Sequence, residues 1–439
     1  MRVADLSGKN VVVWGTGIEG TAAGRLIRRS VAPASLIFID DAAGTIAGET
    51  VFHDAGEIDD ALASADIVVK SAGISLHHPR IQVLLAQGKP VTTLLNLWIA
   101  EPRKAKTILV TGSKGKSTTA SLIAHALNAL GCKTGLAGNI GFAVSELDES
   151  GLEFVVVETS SYQAASLDGD CDIGVVVSLF PEHLDWHATL ANYYRDKLKV
   201  LAHARRRILS AQAQGVIAAE HLGDAFPNEA VTVANAADGF HFAGGEIKNG
   251  AAKIGSLANA YLGRPHNLED VCLALAVIDA FGLDPRAALR AMESFQGLPH
   301  RQCELGEKYG VLYIDDSIST TPQSTVAALN VYHGRRLTLI AGGHDRGIDY
   351  APLIDALAGR DIAAVVCMGP SGKRIFDLLQ AKGAPPAHLA ATMGDAVALA
   401  RRLTPVGGAI LLSPAAPSYG MFKDFIERGK AFAAASGIA

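Results

Sequence analysis

The residues best suited to chemistry lie in TGSKGKSTT, positions 111 to 119, between the apolar run TILV and the helical pattern ASLIAHAL. Gly112 and Gly115 allow backbone N–H groups to turn toward an anion. The helix that follows presents its positive end, Lys116 adds a point charge, and Ser117 or Thr118 offers a hydroxyl to Mg²⁺. With Ser113 and Lys114 these residues form a phosphate cradle one or two residues shorter than the usual GxxxxGK[ST] loop. An ordinary glycine-rich turn with a surface lysine is the bland alternative. The order of strand, Gly-Lys-Ser-Thr and helix argues against it.

Three further stretches belong with this loop. VVVETSSYQ puts Glu158 just past a buried strand, where a carboxylate is costly unless it meets a cation or a hydrogen-bond network. SLFPEHLDWH supplies Glu182, His183, Asp185 and His187 at the end of the next strand. In open parallel sheets ligands sit outside the carboxyl ends of strands, so these exits should share a crevice. GTGIEG, with Gly15, Gly17 and Gly20, follows VVVW, and Asp40 and Asp41 lie about 20 residues on, matching a dinucleotide-binding turn. The same geometry accepts any pyrophosphate, including that of a UDP-sugar.

Short β-rich runs alternating with helical patterns must position these loops. NVVVWG, SLIFIDD and DIVVKSAG suit a parallel sheet in the first hundred residues; EFVVVE and DIGVVVSLF suit a second. LTLIAGG, IAAVVCMG and GAILLSPA suit a third, after GLPHRQCE. AEPRKAK at 100 to 106 reads as a linker. The prediction is an α/β protein of three domains, 1–103, 104–296 and 297–439. The 439 residues, 49% hydrophobic and 19% charged, fit a fully folded chain, and a net charge of -5 provides no broad basic surface for nucleic acid. The five cysteines, at 132, 171, 272, 303 and 367, show neither CxxC nor metal-ligand spacing, so they read as reduced thiols. The N-terminus lacks the pattern of a signal peptide, and no apolar run approaches a membrane span, so a soluble cytoplasmic protein without membrane association is expected.

TGSKGKSTT, GNIG, ETSSYQ, PEHLDWH, YYRDKLKV, PHNLEDV, GLPHRQC and IDDSISTTP occur in this order, and with them the chain resembles the Mur ligases over almost all its length. Within that family the resemblance is to the branch that adds glutamate. It implies a Rossmann-like domain for the UDP-sugar, a central P-loop ATPase-like domain, and a C-terminal Rossmann-like domain for the incoming amino acid. It implies ATP and Mg²⁺ as cofactors, UDP-N-acetylmuramoyl-L-alanine and glutamate as substrates, and an acyl-phosphate intermediate.

The resemblance also assigns residues. Lys116 would contact the transferred phosphate; Ser117, Glu158, His183 and Lys197 would serve the metals, with Lys197 carbamylated. Asn267, Asp270, Arg301 and Asp316 would meet the base and ribose of ATP, although Asp270 stands where asparagine is usual. Ile18, Glu19, Asp40, Ser71, Gly73, Asn139 and Gln163 would face the UDP-substrate. Ala42 falls where a uracil-contacting arginine is common.

Thr320, Arg346, Ser418 and Phe422 would hold the amino acid. Here Ile318 and Arg346 each replace a lysine, yet Arg346 still offers a fork for a carboxylate. Together with DDSISTTP, these changes favour the L-glutamate-adding branch, with an epimerase acting on its product; the D-glutamate-adding enzymes are the alternative. A folylpolyglutamate synthetase-like ligase would have no use for the first loop. An NAD-dependent oxidoreductase would have none for the second.

Overall fold

The computed structural model describes every residue except Ala43, Gly141, Asn228, Arg346, Ala384 and Ala439, together with all side chains but those of Asp185 and Gln323. Two compact units comprise Met1–Gln296 and Gly297–Ala439.

The first unit opens with β1 (Asn10–Trp14), β2 (Ser35–Ile39), β3 (Val51–Phe52), β4 (Ile67–Lys70) and β5 (Val91–Thr92). All pair in parallel in the order β3-β2-β1-β4-β5. Val11, Val12 and Val13 are buried, as a strand covered on both faces requires. The order reverses at β1 and β4, so the loops leaving those two strands diverge and open a crevice at their carboxyl ends.

The second sheet contains β6 (Lys106–Thr111), β7 (Thr134–Gly138), β8 (Phe154–Glu158), β9 (Cys171–Val176), β10 (Ala204–Ser210) and β11 (Val231–Ala234). It too is wholly parallel, ordered β11-β10-β9-β6-β8-β7. β6 therefore lies between β8 and β9, and the three strand exits singled out in the sequence are neighbours. The helices Lys116–Ala129 and Pro265–Ala280 cover one face, burying Leu122, Ile123, Val271 and Leu275 against Val156 and Val175. Residues 100 to 105 are a packed connection rather than a loose linker: the Arg103 guanidinium sits 3.6 Å from the Trp98 ring centre, and Glu101 accepts from the Val3 N–H at 2.8 Å. One apolar cluster runs from Val11 and Val13 through Trp98 to Leu109 and Val155, joining the two sheets in one unit.

One element escaped the sequence reading. β12 (Phe240–Ala243), β13 (Glu246–Asn249) and β14 (Ala252–Gly255) form a small antiparallel sheet. Its first turn, Gly244-Gly245, has positive φ at both residues, as a tight hairpin demands.

The second unit contains β15 (Cys303–Lys308), β16 (Val311–Asp315), β17 (Leu337–Gly342), β18 (Ile362–Met368), β19 (Ala387–Ala390) and β20 (Ala409–Leu412). The order is β15-β16-β20-β17-β18-β19, parallel except for the β15–β16 hairpin. Among the described residues no helix is long and apolar enough to cross a membrane.

Candidate active site

β6 ends at Thr111, and the chain turns through Gly112 to Gly115 before entering the helix Lys116–Ala129. Gly115 caps that helix with φ +80°, and a Cβ there would lie 2.6 Å from Asp270 Oδ1, so only glycine fits without strain. The N-cap residue makes no side-chain cap hydrogen bond, an arrangement that suits an anion at the first N–H groups of the helix. The loop is held from the β9 side. Ser113 N donates to Ser178 O at 2.8 Å, Lys114 N donates to Ser178 Oγ at 2.9 Å, and Ser113 Oγ lies 2.8 Å from the Tyr193 hydroxyl. Ser117 and Thr118 are buried, while Lys114 is exposed and pairs with Glu182.

Glu158, at the end of β8, is 1% exposed. Its Oε1 accepts from Asn139 Nδ2 at 2.8 Å, whereas Oε2 is buried with no hydrogen-bond partner. A buried carboxylate oxygen left this way costs about 1–3 kcal/mol or more, a penalty that a bound cation would remove. Among the described residues no three His, Cys, Asp or Glu side chains converge as a protein-only metal cage requires. The donor set suits Mg²⁺, which accepts one or two carboxylates and fills its remaining positions with phosphate oxygens and water.

Lys197 reaches the loop from the helix Leu190–Ala202 and donates to Gly112 O at 2.8 Å. It is 2% exposed. Burial above all, then the charge of Lys116, pushes its pKa well below the ordinary lysine value, against the pull of Glu182 and Glu158. Such an amine is neutral, and therefore nucleophilic, at a pH where a surface lysine is not.

His183 follows β9 at a left-handed φ of 54°, with its imidazole exposed and Nδ1 2.9 Å from the Tyr162 hydroxyl. His187, four residues on, is fully buried: Nδ1 meets Asp196 Oδ2 at 2.7 Å and Nε2 meets Ser161 Oγ at 3.1 Å. The side chain of Asp185 lies outside the described residues.

Asn267 and Asp270 are buried on the helix Pro265–Ala280. Asn267 Nδ2 donates to Tyr261 O at 2.7 Å, and Asp270 accepts from Thr119 Oγ1 at 2.9 Å directly beneath Gly115. In this arrangement Asp270 supports the loop from below.

The first-sheet loop has another character. Gly20 must be glycine, since a Cβ would strike Gly15 O at 1.8 Å. Ile18 is exposed at the start of the helix Ile18–Ser30. Glu19 accepts from Ala72 N at 2.7 Å and from Gln163 Nε2 at 2.6 Å, tying this loop both to the β4 exit and to the stretch after β8. Asp40 accepts from Thr16 N at 2.7 Å, Thr16 Oγ1 at 2.5 Å and Ala42 N at 2.9 Å, so its oxygens organise the loop. At the β4 exit, Ser71 Oγ lies 3.5 Å from Gly15 O, and Gly73 O accepts from Trp186 Nε1 at 3.0 Å. Asn139 N donates to Glu158 O at 2.8 Å.

In the second unit Asp316 is 1% exposed, accepting from Ser319 Oγ at 2.6 Å and Ser413 Oγ at 2.7 Å. Burial raises its pKa to about 6, opposed by those hydroxyls and by Arg301, which is half-buried. Ser418 and Phe422 line a cavity of about 10 Å³ with Gly343, Met421 and Arg428, room for a water and not for an amino acid. Thr320 is half-buried, and Arg346 lies outside the described residues.

Several participants went unread in the sequence. Tyr162, Trp186 and Asp196 sit inside stretches already singled out, but nothing in their spacing revealed which partners they meet. Lys70 is 2% exposed, donates to Ile74 O at 3.0 Å, and has its pKa lowered by burial to about 8. Arg428, equally buried, bonds Ser317 Oγ, Ser317 O and Ala416 O at 3.1, 2.7 and 2.9 Å.

Parallel α/β sheets, an uncapped helix after a glycine-lysine loop and a buried carboxylate with an unpaired oxygen define a phosphate-binding α/β protein. Family models match in two places: the Mur ligase middle domain over residues 110–276, and the Mur ligase glutamate ligase domain over residues 300–416. A protein of Salinispora tropica named UDP-N-acetylmuramoyl-L-alanine--L-glutamate ligase is 42% identical over 99% of this chain and 99% of its own. One of the same name from Xanthomonas euvesicatoria is 37% identical over 100% and 97%. The chain belongs to the Mur ligase family.

Solved structures share the fold at low identity. UDP-N-acetylmuramate-alanine ligase from Thermotoga maritima aligns with a TM-score of 0.58 at 19% identity, covering 97% of this chain and 98% of that one. MurF ligase from the same organism, in complex with ADP, aligns at 0.53 and 15%, covering 97% and 93%.

Proposed function

We propose that this protein is an ATP-dependent ligase of peptidoglycan precursor synthesis that joins L-glutamate to UDP-N-acetylmuramoyl-L-alanine in the cytoplasm. The observation that carries this reading is 42% identity, over 99% of both chains, to a relative that bears that activity in its name. The replacement of lysine by Ile318 supports the L enantiomer, because losing one cation changes where an α-carboxylate can rest, and with it the line of attack of the amine. Three domains serve the reaction: a Rossmann-like 1–103 for the UDP-sugar, a P-loop ATPase-like 104–296 for ATP, and a Rossmann-like 297–439 for the amino acid.

In this reading the substrate carboxylate attacks the γ-phosphorus of ATP and ADP leaves. The glutamate amine then attacks the acyl carbon, phosphate leaves, and the nitrogen gives up a proton. A carboxylate is a poor electrophile at neutral pH, and phosphorylation gives it a leaving group. The N–H groups at the start of the helix, residues 115 to 117, would cradle the phosphates, the N–H groups of Ser113 and Lys114 being taken by Ser178, and Lys116 would face the charge that builds on the transferring phosphoryl group. Ser117 and Glu158 would hold one Mg²⁺ and His183 would help hold a second, supplying charge neutralisation there. The lowered pKa of Lys197 favours its neutral amine, which suits addition of CO₂: an N–C bond forms, one proton is lost, and the neutral amine becomes an anionic carbamate that would serve a metal held there. Asn267, Asp270, Arg301 and Asp316 serve the nucleotide. Ile18, Glu19, Asp40, Ser71, Gly73, Asn139 and Gln163 serve the UDP-substrate, and Thr320, Arg346, Ser418 and Phe422 the amino acid. A product carrying L-glutamate calls for an epimerase wherever the D centre is needed.

The test is phosphate release by purified protein with UDP-N-acetylmuramoyl-L-alanine, ATP and each glutamate enantiomer separately. Turnover with L-glutamate alone is expected. Turnover with only the D form would discard the stereochemical assignment, and turnover with neither would discard the ligase reading.

A further inference from the structure

A chain of aromatic contacts links the first crevice to the second. The Tyr162 ring stacks on Trp186, with centroids 4.8 Å apart and planes at 27°. Trp186, 8% exposed, donates from Nε1 to Gly73 O at 3.0 Å and accepts at its own carbonyl from Ser75 Oγ at 2.9 Å, so two bonds fasten it to the loop leaving β4. At the other end the Tyr162 hydroxyl lies 2.9 Å from His183 Nδ1.

His183 needs such a partner. Its backbone has a left-handed φ, which costs a β-carbon-bearing residue roughly 1–2 kcal/mol, and its imidazole projects toward solvent. A histidine that binds metal through one ring nitrogen keeps its proton on the other and donates it to a fixed acceptor, which sets both tautomer and ring orientation. With Nδ1 donating to the phenol oxygen, Nε2 becomes the metal-facing nitrogen.

We propose that Tyr162 is a positioning residue for His183, and that Trp186 carries this position back to the Gly73 loop, so that a UDP-substrate bound at that loop strengthens the hold on a divalent cation. The inference rests on the reading of His183 as a metal-holding residue. Coupling of this kind is reciprocal, so the cation also tightens the UDP-substrate.

The experiment measures Mn²⁺ affinity by electron paramagnetic resonance in the presence of ADP, with and without UDP-N-acetylmuramoyl-L-alanine. The proteins are wild type, Tyr162→Phe, Trp186→Phe and His183→Ala. Phenylalanine keeps an aromatic ring at either position; at 162 it deletes only the hydroxyl, and at 186 it removes the indole N–H together with one ring of the indole. Tyr162→Phe is expected to weaken Mn²⁺ binding about 10- to 100-fold with an unchanged melting temperature, the usual loss when a ligand's hydrogen-bond partner is removed. Trp186→Phe is expected to match wild type without UDP-substrate and to lose the tightening that it confers. Wild-type Mn²⁺ affinity in Tyr162→Phe, alongside a weakened His183→Ala, overturns the positioning role alone, and retained tightening in Trp186→Phe overturns the coupling. Unchanged affinity in His183→Ala overturns the metal reading beneath both.

Discussion

The turns Gly15–Gly20 after β1 and Gly112–Ser117 after β6 both lead from a parallel strand into a helix, yet the charges around them are opposite. The first is surrounded by carboxylates: Glu19 in the first helical turn and Asp40 against Thr16. The second has no acid in its helix's first turn and carries Lys114, paired with Glu182, and Lys116, while the buried Lys197, its pKa lowered, donates to Gly112 O. A glycine turn alone does not choose its ligand. Where internal carboxylates already occupy donors, as at Thr16 in the loop and Ala72 at the neighbouring β4 exit, recognition falls to hydrogen bonds and shape. Where the helix start has no side-chain cap and a lysine stands at its first position, concentrated negative charge is favoured. Under the proposed function this contrast assigns binding to the first loop and reaction to the second.

The sharpest way to break that division is to remove one charge from each. Lys116→Ala should lower kcat by about 10²–10³-fold, the scale of a lost transition-state donor. Glu19→Gln should raise KM for the UDP-substrate about tenfold with kcat held, since it weakens two charge-assisted hydrogen bonds outside the reacting atoms. Steady-state kinetics decides; a matching collapse of kcat in both variants would erase the distinction.

The buried lysines offer a second contrast. Lys70, beside the first crevice, has its folded pKa lowered to about 8 by burial, opposed by Glu19 and Asp196. Between that pH and the ordinary lysine pKa the unfolded chain binds more protons than the folded one, so this group's contribution to stability rises as pH increases. Below pH 8 both states are protonated and the burial penalty is constant. Denaturant unfolding of wild type should therefore gain on Lys70→Met by up to about 3 kcal/mol as pH rises from 8 to above 10. A difference independent of pH would mean that Lys70 titrates as a surface lysine does.

The smallest expected effects separate the glycines themselves. Gly115→Ala places a Cβ at φ +80° and 2.6 Å from Asp270 Oδ1, and should cost roughly 1–3 kcal/mol of stability. Gly17, at φ -66° with open space where its Cβ would stand, should accept alanine within about 0.5 kcal/mol. Comparable losses at both positions, read from unfolding midpoints, would show that the first loop is as tightly constrained as the second.

Much of this was legible in the order of residues. Short β-branched runs such as VVV at 11 to 13 and at 155 to 157 can be satisfied only inside a covered parallel sheet, and glycine after such a run marks a turn toward a helix. The three strand exits were placed together by the same logic, and β6 does lie between β8 and β9. The small antiparallel sheet went unread because FHFAGGEIKNG is only half-buried and its alternation is weak.

Sequence by itself determined the local backbone: where strands end, where φ must be positive, and which residues stand at the mouths of the crevices. It also carried enough motifs in order to mark the family. Only the tertiary structure decided the electrostatic state of those residues. Lys197 meets Gly112 O across 85 positions, Asp270 meets Thr119 across 151, and Glu158 keeps one oxygen unpaired because of what surrounds it in space. Backbone conformation is set by neighbours in the chain. Burial and charge are set by neighbours in the fold, and those determine whether a lysine is a surface cation or a nucleophile.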